Sequence, residues 1–550
     1  MTLAQTSRLK PLLDACVKGI LRALVLLVSV SLFSCASPPA AKDNRAQPGA
    51  AAPAVSATQA PEPPSVPVPE ETAAPLVIGV EDAVLTALEN NPELAVERLN
   101  PRIQSTFEDE EAASFDPSLS AEASHDRQKS ERLTGAGPAT ESTVAQENAG
   151  DLTLSKTFPT GTEVALEALT SQTNSSQNPS PFNSTRAGLS VTQSLLRGFG
   201  SDSNLVGLRQ ARLDTAASEY ELRGFTEALV ADVETKYWDY FLALREIEIF
   251  TESLKVAEQA LSEIEERVNI GDLAEIELAA GQAEVALRRE DLIDASGNLA
   301  VARLRLLQLL SPPGARMWDR DVQLSDKPSE PPVSLDEVSD HVALALEMRP
   351  DLNQSRLAIE RDQLEVVKTR NGLLPKLDLF ITLGKTGYAD SFRSSAGDVG
   401  GDDYDVNARL SLEYALGNRA ARARFTRAAL NRSRSDGALR NLAALVELDV
   451  RTAHIELQRA AEQVVATAAT RRLQEETLRG ENEKFRVGKS TAFLVAQAQR
   501  DLLVSQIGEV RAVVNYSKAL VTLYRLDGSL LLRRGIAAPG AKSPDPAAPK

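Results

Sequence analysis

The sequence predicts a mainly α-helical protein with a smaller β portion, built from an internal duplication. Three observations predict it. Apolar residues recur at heptad spacing through two long stretches, strict apolar–polar alternation fills shorter ones, and both patterns come twice in the same order. Composition agrees: 43% of residues are hydrophobic and only 4% aromatic. That is thin for a large globular core, but it suits long helices that approach closely through Ala, Leu and Val.

Aligning Gly271 with Gly488 sets a shift of 217 residues. It lays Val233-Glu234-Thr235 on Val450-Arg451-Thr452, and Gln282-Ala283-Glu284 on Gln499-Arg500-Asp501. A larger shift lays "NPELAVERL" (Asn91–Leu99) on "RPDLNQSRL" (Arg349–Leu357), and "DPSLSAEAS" from Asp116 on "LPKLDLFIT" from Leu374. The first copy therefore carries an insertion between Pro117 and Gly198. The copies are expected over 80–312 and 335–530.

Residues 1–34 read as a signal peptide. Lys18 and Arg22 precede the run "ALVLLVSVSLF", short for a membrane span but right for a signal core. The stretch ahead of Lys18 is long for a signal, so a later translational start is expected. The run ends in Leu32-Phe33-Ser34-Cys35, which resembles a bacterial lipoprotein box with Cys35 as the lipidated residue; Phe33 is bulkier than that pattern prefers. Ala36 in place of Asp after the Cys implies outer-membrane sorting. An ordinary cleaved signal with an incidental Cys is the alternative. Residues 35–75 then form the lipidated N-terminus and an Ala/Pro-rich tether, which cannot bury a core.

Within each copy the period changes twice. Asp82–Phe115 and Asp336–Leu373 read as helices interrupted at Pro92 and Pro350. In the first copy, strands are expected over about 118–194: Leu119–Ser124, Leu152–Thr157, Val164–Thr170 and Ala187–Ser194. "FPTGT" is a tight turn, and the polar stretch Asp126–Gly150 reads as an exposed loop. In the second copy a hairpin is expected over about 376–414. Leu377, Leu379, Ile381 and Leu383 alternate with Lys376, Asp378, Thr382 and Gly384. Tyr404, Val406, Ala408, Leu410, Leu412 and Tyr414 alternate on the return. Between them lies the Gly- and Asp-rich loop "TGYADSFRSSAGDVGGDD". Such a stripe belongs to a transmembrane β-hairpin or equally to a half-buried soluble one; the period alone does not choose.

The pattern then becomes helical. Val233, Tyr240, Ile247, Leu254, Leu261 and Val268 recur every seventh residue, with Ala243, Phe250, Ala257 and Ile264 three residues later. This is a coiled-coil seam. Val450, Leu457, Val464, Leu478 and Phe485 repeat it, with Arg471 breaking the stripe. The first helix, from about 203 to 268, would be on the order of 100 Å long. Gly271 and Gly488 mark the tips of two helical hairpins, where a helix end favours a left-handed residue. Asp272 and Ser490 are expected to cap the returning helices. These run to about Leu310, before Pro312-Pro313-Gly314, and to about Arg525, before Gly528. Residues 531–550 are expected to be a disordered tail.

The net charge of −17 and pI near 5.0 argue against nucleic acid as a partner; such an acidic surface mainly indicates solubility, or an electronegative interior if the protein encloses a space. The two cysteines, Cys16 and Cys35, give no disulfide framework. His125, His341 and His454 are scattered in sequence and match no metal-ligand spacing. No cofactor or metal is therefore expected. "EDEEAASF" (Glu108–Phe115) reads as a hydrated helix end. "YWDYF" (Tyr237–Phe241) reads as helix packing, with Tyr240 on the seam and Trp238 on its flank.

From Val80 to Leu530 the chain resembles the outer-membrane efflux protein (TolC) family. The motifs that carry the resemblance are "SVTQSLLRGFG" (Ser190–Gly200), "GLLPKLDL" (Gly372–Leu379), "ALGNRAARAR" (Ala415–Arg424) and "FRVGKSTAFLVAQAQRDLL" (Phe485–Leu503). The resemblance implies a mainly α fold with a membrane β-barrel portion: a trimeric α-helical tunnel plus a shared transmembrane β-barrel. One protomer's hairpins cannot close a barrel, and open edges are forbidden in lipid, so assembly is physically required. The resemblance also implies that the tips dock a periplasmic adaptor (membrane fusion) protein. The docking residues would be Arg267, Val268, Gly271, Asp272 and Leu273, with Arg486, Val487, Gly488, Lys489 and Ser490. An inner-membrane pump, proton-driven or ATP-driven, would feed the tunnel. Many members carry acidic rings near the tips. Here the matching second-copy positions are Leu494 and Gln497, while the first copy has Glu277 and Ala280. The expected periplasmic gate thus rests on Glu277, Leu494 and Gln497, with a solvated helix residue as the plain reading of Glu277.

The function this implies is a passive exit duct of a tripartite efflux or secretion system, lipid-anchored in the outer membrane. The alternative from another class is a lipid-anchored periplasmic coiled-coil scaffold. That reading accounts for signal, tether and heptads but not for alternating segments at matching points of both copies. An enzyme is the most distant reading, since the sequence offers no nucleophile–base set or phosphate loop.

Overall fold

The computed structural model describes residues 76–133, 140–176, 178–271, 273–312, 318–328 and 336–537. The signal, Cys35 and the tether lie outside them, as does Asp272. In chain order the elements are β1 (Leu76–Ile78), α1 (Val80–Asn90), α2 (Pro92–Glu97), α3 (Leu99–Ala113) and β2 (Ser118–Leu133). Then come β3 (Thr140–Phe158), β4 (Thr162–Ser175), β5 (Asn178–Ser194), α4 (Ser201–Asn204), α5 (Val206–Asn269) and α6 (Glu275–Leu310). The second half holds β6 (Val322–Leu324), α7 (Val338–Met348), α8 (Pro350–Asn371), β7 (Lys376–Ala389), α9 (Phe392–Asp398) and β8 (Tyr404–Glu413). It closes with α10 (Arg419–Arg486), α11 (Ala492–Leu526) and α12 (Leu530–Arg533). Pro92 and Pro350 each stand first in a helix, where the missing N–H leaves no bond unmade.

The chain divides into two compact units. The first is an antiparallel sheet of six strands in the order β2-β3-β4-β5-β7-β8. Strands from both repeats meet at β5 and β7. One row of registered partners crosses every strand: Leu119, Leu154, Leu166, Leu189, Leu383 and Val406. Because side chains alternate, this row marks one face of the sheet as apolar. The opposite face is polar. There Arg186 of β5 reaches past β7 to Asp405 of β8 at 2.7 Å and approaches Glu167 of β4 at 3.8 Å. It passes over Gly384, where a Cβ would stand 2.6 Å from the guanidinium. Beyond the apolar row, α9 lies against β5 and β7, with Thr185 and Ser395 hydroxyls 2.7 Å apart.

The strands are longer than their alternation suggested. The expected loop over Asp126–Gly150 is corrected for its described residues: β2 and β3 continue as a paired ladder from His125↔Asn148 to Leu133↔Thr140. The stretch is polar on both faces, so it carries no apolar stripe for a sequence reading to find, while its backbone pairs regardless of side chain.

The second unit is helical. The 64 residues of α5 and the 68 of α10 make helices of about 96 and 102 Å at ~1.5 Å per residue. α6 returns along α5, and α11 along α10, with α11 also lying against α5. Heptad seam residues Val233, Tyr240, Ala243, Ala257 and Ile264 are buried, as are Val450 and Leu457. Arg471, which breaks the second stripe, is paired with Glu475 and with Glu509 of α11, each at 2.6 Å.

Two apolar clusters anchor these hairpins, and they are copies of one another. Ala87, Leu94, Leu229, Val233, Tyr240 and Leu306 are buried in the first. Their equivalents Ala345, Leu352, Val446, Val450, Leu457 and Leu523 are buried in the second. The first also encloses the short parallel pair β1–β6, which the sequence reading did not foresee; strands of three residues carry no period. Tyr237 donates its hydroxyl to the Ile78 carbonyl at 3.2 Å, and Tyr240 donates to Val322 at 2.9 Å. Trp238, expected on the flank, is buried with an edge-on contact to Tyr237. The second repeat changes chemistry at matching points. His341, His454 and Asp527 stand where the first has Ala83, Tyr237 and Leu310. His341 Nδ1 lies 2.8 Å from Asp527, and His454 Nε2 lies 3.0 Å from the Asp336 carbonyl. Residues far apart in sequence are thus joined in one polar cluster.

The expected disordered tail is also corrected at its start. Leu530–Arg533 is helical, with Leu530 and Leu531 buried and Ile536 packed on the first core. Arg534 holds the segment through two hydrogen bonds to buried Glu234, at 2.7 and 2.5 Å.

Candidate functional site

Both long hairpins turn at a glycine in the left-handed region, Gly271 at φ 78° and Gly488 at φ 74°. After α10, the Lys489 N–H donates to the Lys484 carbonyl at 2.8 Å and Gly488 N–H to Phe485 at 3.1 Å. These are the paired bonds of a Schellman cap. After α5, Gly271 N–H donates to Val268 at 3.0 Å and Leu273 N–H to Arg267 at 3.2 Å. Nothing lies within 4 Å of a Cβ built on either glycine, so conformation and not crowding demands glycine there. A side chain would cost roughly 1–2 kcal/mol.

The returning helices are capped differently from expectation. Thr491, not Ser490, is the N-cap of α11, and its side chain accepts from Leu494 N–H. Ser490 instead donates to Glu481 at 2.8 Å. With Lys484, that bond holds the Glu481 carboxyl below its usual range. Ala274 is the N-cap of α6 and offers no side-chain bond. A Thr hydroxyl reaches the N-terminal N–H groups of a helix as Ser does, so the cap moves wherever the turn places it.

The two tips stand together. The Arg267 guanidinium lies 5.0 Å from the centre of the Phe485 ring, linking the ends of α5 and α10. Further from the tips, Arg500 of α11 pairs with Glu284 of α6 at 2.9 Å, and Glu284 also pairs with the buried Arg288. A cavity of about 450 Å³ between the hairpins is lined by Ile264, Arg267, Glu284, Phe485, Phe493 and Arg500, among others. Of the expected docking residues, Val487 and Gly488 are exposed, as are Arg486 and Lys489; Arg267, Val268, Leu273 and Ser490 are half-buried. The sequence reading missed three exposed apolar side chains at the same end: Ile270 (78% exposed), Ile276 (74%) and Phe493 (63%). Their signal was an apolar side chain off the heptad seam.

The three gate candidates fall at the starts of the returning helices. Glu277 and Leu494 are each the third residue after their N-cap, so they are equivalent positions. Glu277 is half-buried, while Leu494 and Gln497 are exposed.

Among the described residues no helix is long and apolar enough to cross a membrane. The sheet's apolar face is the surface suited to lipid. On β8, Val406, Leu410 and Leu412 are all at least 60% exposed, as is Leu119 on β2. These are the two edge strands.

An apolar-faced sheet fed by both repeats, in one chain with glycine-tipped hairpins about 100 Å long, defines the fold class of outer-membrane channels. The chain belongs to the outer membrane efflux protein family, whose model matches residues 84–311 and 342–529. No curated protein sequence matches it. Solved structures share the fold at low identity. The outer-membrane channel OprN is 17% identical, with a TM-score of 0.62 over 82% of this chain and 89% of that one. The CmeC outer membrane channel of Campylobacter jejuni is 14% identical, with a TM-score of 0.61 over 84% and 87%. The outer membrane protein VceC of Vibrio cholerae is 17% identical, with a TM-score of 0.60 over 82% and 96%.

Proposed function

We propose that the chain is a passive exit duct through the outer membrane, working as a homotrimer in a tripartite efflux or secretion system. Its hairpin tips dock a periplasmic adaptor, and an inner-membrane pump supplies the energy. The observation that carries this reading is the sheet: its apolar face is matched to lipid, yet both its edges are open. Unpaired N–H and C=O groups on β2 and β8 would cost several kcal/mol each in hydrocarbon, so the sheet needs further copies to enter a membrane. A periplasmic scaffold has no use for such a face. In this reading the chain does no covalent chemistry, and Arg267, Gly271, Arg486, Gly488 and their neighbours serve only to bind.

Purified full-length protein in a planar bilayer tests it. Discrete ion-conducting steps from a heat-resistant trimer are the expected result. A monomer that stays soluble without detergent and conducts nothing would falsify the reading.

A further inference from the structure

We propose that three copies of the six-stranded sheet close one eighteen-stranded barrel, with β8 of each copy paired to β2 of the next. The inference rests on the trimeric reading above; its ground is the continuity of the sheet. The hairpin β2–β3 is not an appendage to a four-stranded ribbon. β2 pairs with β3 over 16 registered positions and β3 with β4 over 14, longer ladders than the 10 that join β7 to β8.

The hairpin also carries the apolar face outward to its edge. Leu119 and Leu154 continue the row of Leu166, Leu189 and Leu383 in unbroken register. A hairpin standing in water, or folded into a lumen, has no reason to keep that row on the same face. Lipid gives it one.

Direction agrees. All neighbours in the sheet are antiparallel, so the first and last of its six strands run opposite ways. β8 of one copy therefore meets β2 of the next antiparallel, and every contact around the ring has the same sense. Such a head-to-tail contact closes when the rotation closes, leaving no edge. The ten residues of β8 match the ~9–11 that a tilted strand needs to cross a bilayer.

Eighteen strands at ~4.8 Å spacing and ~40° tilt give a backbone diameter of about 36 Å. Inward side chains leave an opening of roughly 25 Å, the regime of water-filled barrels. Selection of cargo by size then falls to the hairpin tips and not to the outer-membrane segment.

Single-particle imaging of the detergent-extracted full chain, with spin labels at Leu119→Cys, Leu154→Cys and Leu410→Cys in reconstituted protein, tests the proposal. Eighteen strands in the ring, with oxygen reaching all three labels and a water-soluble relaxant reaching none, is the expected result. A trimeric ring of twelve strands, with Leu119 and Leu154 open to the water-soluble relaxant while Leu410 is not, overturns the inference and leaves the duct reading standing. A particle with no ring and no threefold symmetry overturns both.

Discussion

Tyr237 and His454, at corresponding points of the two repeats, make the same hydrogen bond with different chemistry. The phenol donates to the carbonyl of Ile78, and the imidazole Nε2 lies 3.0 Å from the carbonyl of Asp336, the position equivalent to Ile78. Each bond fastens the chain entering a repeat to its long helix. In the first repeat the tyrosine stands in an apolar core with β1–β6; in the second the histidine ring lies 6.1 Å from that of His341, which is itself bonded to Asp527.

Removing the tyrosine hydroxyl takes away the acceptor of the Asp326 N–H and leaves the Ile78 carbonyl with the Ser325 N–H as its remaining donor. Tyr237→Phe is expected to lower stability by about 1–2 kcal/mol. Thermal denaturation of the detergent-solubilised oligomer measures it, and an unchanged midpoint would show that water replaces the bond.

Glu227 on α5 is buried and bonded to Arg223 at 3.0 Å. Burial raises its carboxyl to about 7, outweighing the opposite pull of the Arg223 hydrogen bond and charge. The folded value lies above the ordinary one of 4.5, so the protonated form favours the folded state. That contribution is complete below about 4.5 and is lost as pH rises through about 7. Melting curves should therefore fall between about pH 5.5 and pH 8, and Glu227→Gln should flatten that slope. A Gln variant with the parent's full pH dependence would assign the slope to another group.

At the tips, Gly271→Val and Gly488→Val force a β-branched residue into the left-handed region, at a cost of about 1–2 kcal/mol confined to an exposed turn. The oligomer should still form and conduct. Capture of the adaptor, and export in cells, should drop at least tenfold. Equal adaptor capture by both variants would place docking elsewhere on the helices.

Arg186 joins Asp405 across Gly384, tying strands of the two repeats on the polar face. Gly384→Ala crowds that pair, and the flexible ends must part; about 1 kcal/mol is the expected loss. Gel mobility on heating should show dissociation a few degrees lower, and Asp405→Asn should reproduce it. Full heat resistance in both would make the strap dispensable.

Glu277→Ala should reduce the channel's preference for cations if this carboxylate borders the narrowest point. Reversal-potential measurements under a salt gradient report it directly. Identical selectivity would return Glu277 to an ordinary first-turn acid, favoured there by the helix dipole.

Much of this was legible beforehand because it depends on local period. The seam from Val233 to Ile264, the left-handed glycines at 271 and 488, and the dyad stripe from Leu377 to Leu383 each follow from how side chains project from a regular backbone. The heptad count even exposed Arg471 as an exception, although its partner Glu509 was not foreseeable. The N-cap was misplaced by one residue because Ser490 and Thr491 are chemically alike.

By itself, then, the sequence determined the duplicated plan, the two helical hairpins and the existence of alternating strands, since these are set by neighbours a few residues apart. Only tertiary structure decided that β2–β3 belong to one unbroken sheet of six strands, that β1 pairs with β6, and that His341 meets Asp527. Those outcomes depend on backbone hydrogen bonds and long-range contacts that are indifferent to the period of the side chains, so no reading of periodicity reaches them.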